Sequence, residues 1–217
     1  MSSPVRPDGQ YRSAPPEGFA VTPARPPEGM VVVSAASVPA QAWRNGGGRT
    51  RELLTWPADA PWQLRISRAD IERDGPFSAF PQIERWFAVL QGQGVVLGFE
   101  HGERSVRSSD DALHFDGAAA PACRLLDGAT QDLNLMARNG AGAMRRWHPG
   151  QPCTDACAMR GLYSTVAGRW RSDTAAFDLA ADTLLWSATP SAGPWTFCPL
   201  QPDAMASVWW LGFTPRS

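Results

Sequence analysis

Three segments place polar and charged side chains two residues apart, with apolar residues between them. In TRELLTW, Thr50 and Glu52 share one side of an extended chain and Leu53 lies on the other. In LRISRA, Arg65, Ser67 and Ala69 alternate with Leu64 and Ile66, and in DLNLM, Asp132, Asn134 and Met136 alternate with Leu133 and Leu135. Side chains alternate across a β-strand, so each segment reads as a strand with one apolar and one polar face. On an open sheet such a polar face is simply solvated. The mixture of Glu, Arg and Asp with Ser, Thr and Asn lacks the long alternating charges of a wet surface. It fits the lining of a hollow, where an unpaired charge is costly and must be met by a ligand or by pairing within the wall.

Other residues frame that hollow. In AWRNGGGRT three glycines follow Trp43 and Asn45, and strand-like sequence comes after them. Neither a Walker loop nor a dinucleotide fingerprint has that form, which disfavours a phosphate cradle. A tight approach that aims Trp43 and Asn45 at a pocket is expected instead. DGPFSAFP is a turn by composition, anchored by Phe77 and Phe80, with Ser78 either facing a site or capping the turn. Arg85 reads equally as an anion ligand or as a surface arginine with a packed stem. His101, His114 and His148 show no metal-ligand spacing, and no serine sits in a nucleophile elbow. The four cysteines, at 123, 153, 157 and 198, include one C-x-x-x-C pair. They are expected to be reduced thiols, a Cys153–Cys157 disulfide being the alternative.

The elements that must position these groups follow from the rest of the chain. Of 217 residues 43% are apolar, with 20 glycines, 20 prolines and ten tryptophans. This describes a globular chain with many turns and large aromatic packing surfaces. Lysine is absent, and a formal net charge of -1 leaves no basic field for nucleic acid. No apolar run approaches the roughly 18 residues of a membrane span, and no signal-peptide core opens the chain. A cytoplasmic location is the resulting expectation. Residues 1–29 are proline-rich and too poor in apolar bulk to offset ordering, so a disordered extension is expected there, with Met30 as the start of the fold and a candidate start of translation. From Met30 onward, short apolar or alternating runs (RELLTW, WQLRISRADI, WFAVLQ, ACRLL, DLNLMAR, TLLWSA, SVWWLGF) are separated by Gly, Pro and Asp turns. This predicts an all-β fold. LQGQGVVLGF reads as a hairpin bending at Gly92 and Gly94. A break near ARNGAGAMRRW divides the strands into residues 30–140 and 141–217, two halves compatible with a duplicated barrel.

The blocks WRNGGGRTRELLTWP, LRISRADIERDGPFSAFPQIERWFAVLQGQGVVL and LLDGATQDLNLMAR resemble the HutD/Ves family in order and spacing. That family runs W-K/R-N-x-x-G-x-T-x-E, W-R-x-S-x-A, D-G-x-F-S-x-F-P-G-x-x-R, L-x-G and D-F/L-N-V/I/L-M. Leu64 and Gln82 depart from it, replacing a tryptophan and a glycine. The resemblance implies a cupin-type fold with two β-barrels in one chain, a bicupin. It also implies a non-catalytic role in histidine utilisation, through binding of a pathway carboxylate such as urocanate or a formimino- or formyl-glutamate. The positions carried over are Trp43, Asn45, Thr50, Glu52, Arg65, Ser67, Ser78, Phe80, Arg85, Asp132, Asn134 and Met136. Arg65, with Arg85, would pair the ligand carboxylate. Asn45, Ser67 and Asn134 would orient the ligand, Glu52 or Asp132 would accept from its N–H, and Trp43 and Phe80 would wall it. No metal or other cofactor is expected. The expected partner is a small-molecule carboxylate, with neither nucleic acid nor membrane, and the chain is compatible with a homodimer. Two alternatives remain at this stage. One is a metal-independent isomerase or hydrolase using Glu52 or Asp132 as base. The other is a stress-related interaction module whose polar faces merely pair.

Overall fold

The computed structural model describes residues 26–148, 152–154, 157–190, 193–201 and 207–216. The extension expected over residues 1–29 lies almost wholly outside them. Among the described residues the strands of the N-terminal half are β1 (Met30–Ser34), β2 (Gln41–Ala42), β3 (Gly48–Trp56), β4 (Leu64–Ile71), β5 (Gly75–Pro76), β6 (Glu84–Gln91), β7 (Val95–Phe99), β8 (Gly102–Val106), β9 (Leu113–Asp116), β10 (Ala122–Leu125) and β11 (Thr130–Ala137). There follow β12 (Gly140–Arg146), β13 (Met159–Ser164), β14 (Gly168–Arg171), β15 (Ala176–Leu179), β16 (Thr183–Ser187), β17 (Thr196–Pro199) and β18 (Val208–Pro215). No helix among these residues is long and apolar enough to cross a membrane.

The strands make four sheets, ordered β5-β10-β7-β8, β2-β3-β4-β11-β6-β9, β1-β16-β13-β18-β12 and β15-β14-β17. Three apolar clusters show how they stack. Val95, Leu97, Val106 and Cys123 of the four-stranded sheet meet Ile71, Phe87 and Val89 of the six-stranded one. The other face of that six-stranded sheet, with Ile66, Leu133 and Leu135, packs on Trp186, Trp209, Leu211 and Phe213 of the five-stranded sheet. On its far side the five-stranded sheet, through Leu162, Leu185 and Trp210, meets Trp170, Phe177 and Phe197 of the three-stranded one. The result is two sandwiches placed back to back. Each sheet is open in its strand order, so the halves are seen as facing sheets rather than closed barrels.

Strand alternation explains this stacking. Along β11, Leu133, Leu135 and Ala137 point at the other half, while Asp132, Asn134 and Met136 point into their own sandwich. The apolar faces of the central sheets are therefore spent on joining the two halves. Ile66 is fully buried in that junction, and Ile66→Val is expected to cost about 1 kcal/mol, read as a shift in the urea midpoint at unchanged slope.

Two long-range features shape the molecule further. β1 pairs antiparallel with β16, from Met30 opposite Ser187 to Ser34 opposite Thr183, and so joins the sheet of the C-terminal half. The segment LQGQGVVLGF is a corner and not a hairpin: β6 lies in the six-stranded sheet, whereas β7 pairs with β8 and β10. Val95 and Leu97 are needed across the sandwich opposite Phe87, so the chain changes sheet there. Gly94 turns with φ +102°, where a Cβ would collide with the Val106 carbonyl.

Candidate functional site

The N-terminal sandwich holds a cavity of about 770 Å³, whereas the described residues of the C-terminal sandwich form an aromatic cluster between their sheets. In the latter, Trp170, Trp195 and Trp210 interlock edge to face, with centroids 5.1 and 5.9 Å apart. In the former, the inward positions of β3, β4, β6 and β11 carry Thr50, Arg65, Ser67, Ala69, Arg85, Asp132, Asn134 and Met136, all of which line the cavity. Residues from β2 and the glycine loop, Gln41 to Asn45, and Pro76, Phe77, Ser78 and Phe80 complete the wall. Gln41, Arg44, Asn45, Pro76 and Ser78 are exposed and mark the mouth.

The deep end is a chain of hydrogen bonds. Arg85 Nε donates to Asn134 Oδ1 at 2.8 Å, and Asn134 Nδ2 donates to Asp132 Oδ1. Arg85 is 5% exposed and Asp132 1%. The guanidinium of Arg85 stacks on Phe77, 4.4 Å from the ring centroid, and on Phe115 at 5.4 Å. Such stacking holds the fork flat while Nε is engaged. Its two terminal nitrogens find no acceptor among the described residues, and neither does the buried Asp132 Oδ2. Burial pushes Asp132 up to about 7, against the pull of Arg85, the Asn134 hydrogen bond and Arg68. Burial also lowers Arg85 to about 10, with Asp132 opposing and the nearby Arg65 adding to the depression. Behind them, the Cys123 thiol is pushed up to about 12 by burial and the Asp132 charge, which leaves it an inert packing group.

Nearer solvent, Arg65 Nε donates to Glu52 Oε2 at 2.8 Å across the β3–β4 pair. A bulge between Glu52 and Leu54 accompanies this contact. Glu52 does not itself line the cavity and reaches it only through Arg65. The glycine triplet forms the tight turn that its composition suggests. Trp43 Nε1 donates to Thr50 Oγ1 at 2.7 Å, and Asn45 Oδ1 accepts from the Gly47 amide at 3.0 Å. A Cβ at Gly48 would collide with the Asp70 carbonyl and crowd the Trp43 ring. The polar atoms of Trp43 and the Asn45 oxygen thus hold the loop, leaving the Trp43 ring, edge-on to Phe77, as wall.

Of the sequence-selected residues, Trp43, Asn45, Thr50, Arg65, Ser67, Ser78, Phe80, Arg85, Asp132 and Asn134 all line one cavity, and Glu52 stands one contact behind. Sequence reasoning missed Arg44, at the mouth, and Phe115, which covers the Arg85 guanidinium. Phe115 is the cross-strand partner of Arg85, a pairing of residues 30 positions apart that no local pattern reveals. Among the described residues no group of three or more His, Cys, Asp or Glu side chains is placed to hold a metal ion. The hollow is lined by the guanidiniums of Arg65 and Arg85 and by Ser67, Ser78, Asn134 and the Asp132 carboxyl. That arrangement suits a small molecule carrying both an anionic group and an N–H or O–H donor.

Comparison with known proteins agrees with this architecture. A 21.2 kDa protein from the region 3' of hutC in Pseudomonas putida is 35% identical over 109 residues, 49% of this chain and 57% of that protein. Protein Ves of Cronobacter sakazakii is 28% identical over 167 residues, covering 76% of this chain and 86% of Ves. The structure of HutD from Pseudomonas fluorescens superposes with a TM-score of 0.74 at 21% identity, over 87% of this chain and all of that one (100%). Oxalate decarboxylase of Bacillus subtilis shares the fold with a TM-score of 0.59 at 10% identity, over 85% of this chain and 77% of that one, which makes the architecture cupin-like. The HutD family model matches residues 35–199, and the chain belongs to the HutD family.

Proposed function

We propose that this protein is a non-catalytic binder of a small carboxylate from histidine breakdown, urocanate or a formimino- or formyl-glutamate, and that it tempers histidine utilisation through that binding. In this reading the two sandwiches correspond to the two barrels of a bicupin, residues 30–140 holding the ligand and 141–217 packed against them. The observation that carries the reading is Arg85. A guanidinium this buried, with Nε engaged and both terminal nitrogens lacking acceptors among the described residues, stands ready for a bidentate carboxylate. Arg65 adds a second positive group at the same wall, and the Asp132 carboxyl in the lining is the acceptor assigned to a ligand N–H. Family membership and the hutC-region relative support the pathway assignment.

Calorimetry with urocanate and N-formylglutamate tests this directly. At least one is expected to bind, and Arg65→Ala is expected to weaken it by roughly tenfold, the cost of one charge-assisted contact. Heat absent for every histidine-pathway carboxylate would end the reading.

One observation favours an enzymatic alternative: Asp132, titrating at about 7 beside the hollow, has the acidity of a general base. Glu52 is paired with Arg65 and does not line the hollow. Turnover of a pathway intermediate by purified protein, lost in Asp132→Asn, would replace the binding reading with this one.

A further inference from the structure

Arg65 stands in the wall of the hollow with Glu52 behind it, and the edge of the sheet sets this pair. β3 and β4 run antiparallel with Thr55 opposite Arg65 and Glu52 opposite Ser67, which makes Glu52 and Arg65 diagonal neighbours across the two strands. Leu53, the extra residue of the bulge, turns instead to the junction with the other half. β2 covers β3 only at Arg49 and Thr50, so Glu52 stands where the edge is open. Its side chain is 38% exposed, against 18% for Arg65.

The other charges of the strand are engaged elsewhere. Arg51 Nη1 donates to Asp70 Oδ2 at 2.9 Å, and Arg49 pairs with Glu72. Among the described residues, Arg65 is the cation that meets Glu52. Inside the hollow, Arg65 is near enough that its charge adds to the depression of Arg85 that burial begins. Each of these two guanidiniums has one acid to answer it, Asp132 through Asn134 for Arg85 and Glu52 directly for Arg65. The two acids differ in place. Asp132 lines the hollow and can touch a ligand, whereas Glu52 acts there only through its charge and its hold on Arg65 Nε.

We propose that Glu52 is a specificity-determining residue: its charge offsets that of Arg65 and so lowers the preference of the hollow for a doubly charged ligand over a singly charged one. The role rests on the reading of this protein as a carboxylate binder. A negative charge fixed behind the wall acts in proportion to the charge of the ligand, so it opposes a dicarboxylate about twice as strongly as a monocarboxylate. Specificity built on such opposition needs no contact with the ligand. The hold on Nε leaves the two terminal nitrogens of Arg65 for the ligand, and a neutral amide at position 52 would still accept from Nε. Charge and orientation are therefore separable by substitution.

N-formylglutamate and N-formylglutamine differ by one carboxylate replaced with a carboxamide of nearly the same size. Calorimetry on the full chain gives the ratio of their dissociation constants in the wild type and in Glu52→Gln. In Glu52→Gln the ratio is expected to move toward N-formylglutamate by roughly fivefold. The shift should shrink at high ionic strength, because Glu52 is partly in water. Glu52→Asp keeps the charge on a shorter side chain, and is expected to stay near the wild-type ratio while losing affinity for both compounds. Mere loosening of the wall would weaken both ligands alike and leave the ratio unmoved. A ratio unchanged in Glu52→Gln, or moved as far in Glu52→Asp, would overturn the role of Glu52 and leave the carboxylate reading standing. A wild type that takes up neither compound would overturn it too, and binding of urocanate then decides whether the carboxylate reading falls with it.

Discussion

Replacing Arg85 with methionine is expected to destabilise the fold by about 3–5 kcal/mol at pH 8, the cost of leaving one member of a buried charge pair behind. Arg85 and Asp132 are almost completely buried and are joined through Asn134. Methionine can occupy the slot between Phe77 and Phe115, where sulfur–aromatic contact replaces part of the stacking, so loss of packing is a minor part of the effect. The double variant Arg85→Met with Asp132→Leu removes both charges and is expected to recover most of the loss, whereas two independent defects would add. Urea unfolding of the wild type, both single variants and the double variant closes the cycle. If Arg85→Met costs less than about 1 kcal/mol, as an exposed pair does, the guanidinium is hydrated through the cavity. The deep end would then not be a water-poor anion site. The same substitution should abolish carboxylate binding, because the bidentate fork itself is gone.

The contrast between the two sandwiches gives the site its meaning. In the C-terminal one, large aromatic side chains at inward positions, Trp170, Trp195, Phe197 and Trp210, pack on one another between the sheets. In the N-terminal one, the corresponding wall carries Ser67, Ala69, Asn134 and other small or polar groups, which cannot fill it. Close packing is the rule for protein interiors, so a hollow lined by hydrogen-bonding groups is a feature that a ligand or ordered water must complete. The C-terminal half supplies the apolar backing. Trp209, Leu211 and Phe213 press on Leu133 and Leu135, which fixes the opposite faces of the same strands, Asp132 and Asn134 among them, toward the cavity.

Much of this was readable before any coordinates. Strict alternation in β4 and β11 named Arg65, Ser67, Asp132 and Asn134 as one face, and the fold brings them together. Alternation states that a strand has two faces but not what covers each. Here the apolar face meets the other half of the chain and the polar face is enclosed, an outcome decided by residues on other strands, Trp186, Trp209 and Leu211 among them. The pairing of β1 with β16 and the sheet change at Gly92–Gly94 escaped for the same reason. Local turn chemistry fits a corner as well as a hairpin, and only the demand for Val95 and Leu97 opposite Phe87 separates them. Glu52 shows the finer limit. Its spacing from Thr50 placed it on the polar face, but the bulge after it and the Arg65 contact hold it behind the cavity wall. The tryptophan count announced aromatic packing, yet nothing local assigned so much of it to the C-terminal half.

The second large effect is on the pH dependence of stability, and Asp132 controls its sign. The folded-state pKa of Asp132 lies at about 7, above its ordinary 3.8, because burial penalises the carboxylate more than Arg85, Asn134 and Arg68 reward it. Between those two values the native protein therefore holds a proton that the unfolded chain has released. Stability falls as pH rises wherever the native state binds more protons. The contribution of the protonated carboxyl is full below pH 4 and is lost by about pH 7, an effect on the order of a few kcal/mol across that window. The groups that act on this carboxyl electrostatically are Arg85, Arg68 and Asp70, the last pushing in the same direction as burial. Asp132→Asn keeps the shape and mimics the neutral form, so its stability should stay nearly level from pH 4 to 8 apart from the titrations that both proteins share. Chemical denaturation at matched pH values gives the difference curve. A wild type that gains stability over the variant as pH climbs from 4 to 7 would mean that the Arg85 attraction outweighs burial. Asp132 would then be an ordinary paired carboxylate, fully charged at neutral pH, and neither its role as the titrating floor of the cavity nor the general-base alternative would survive.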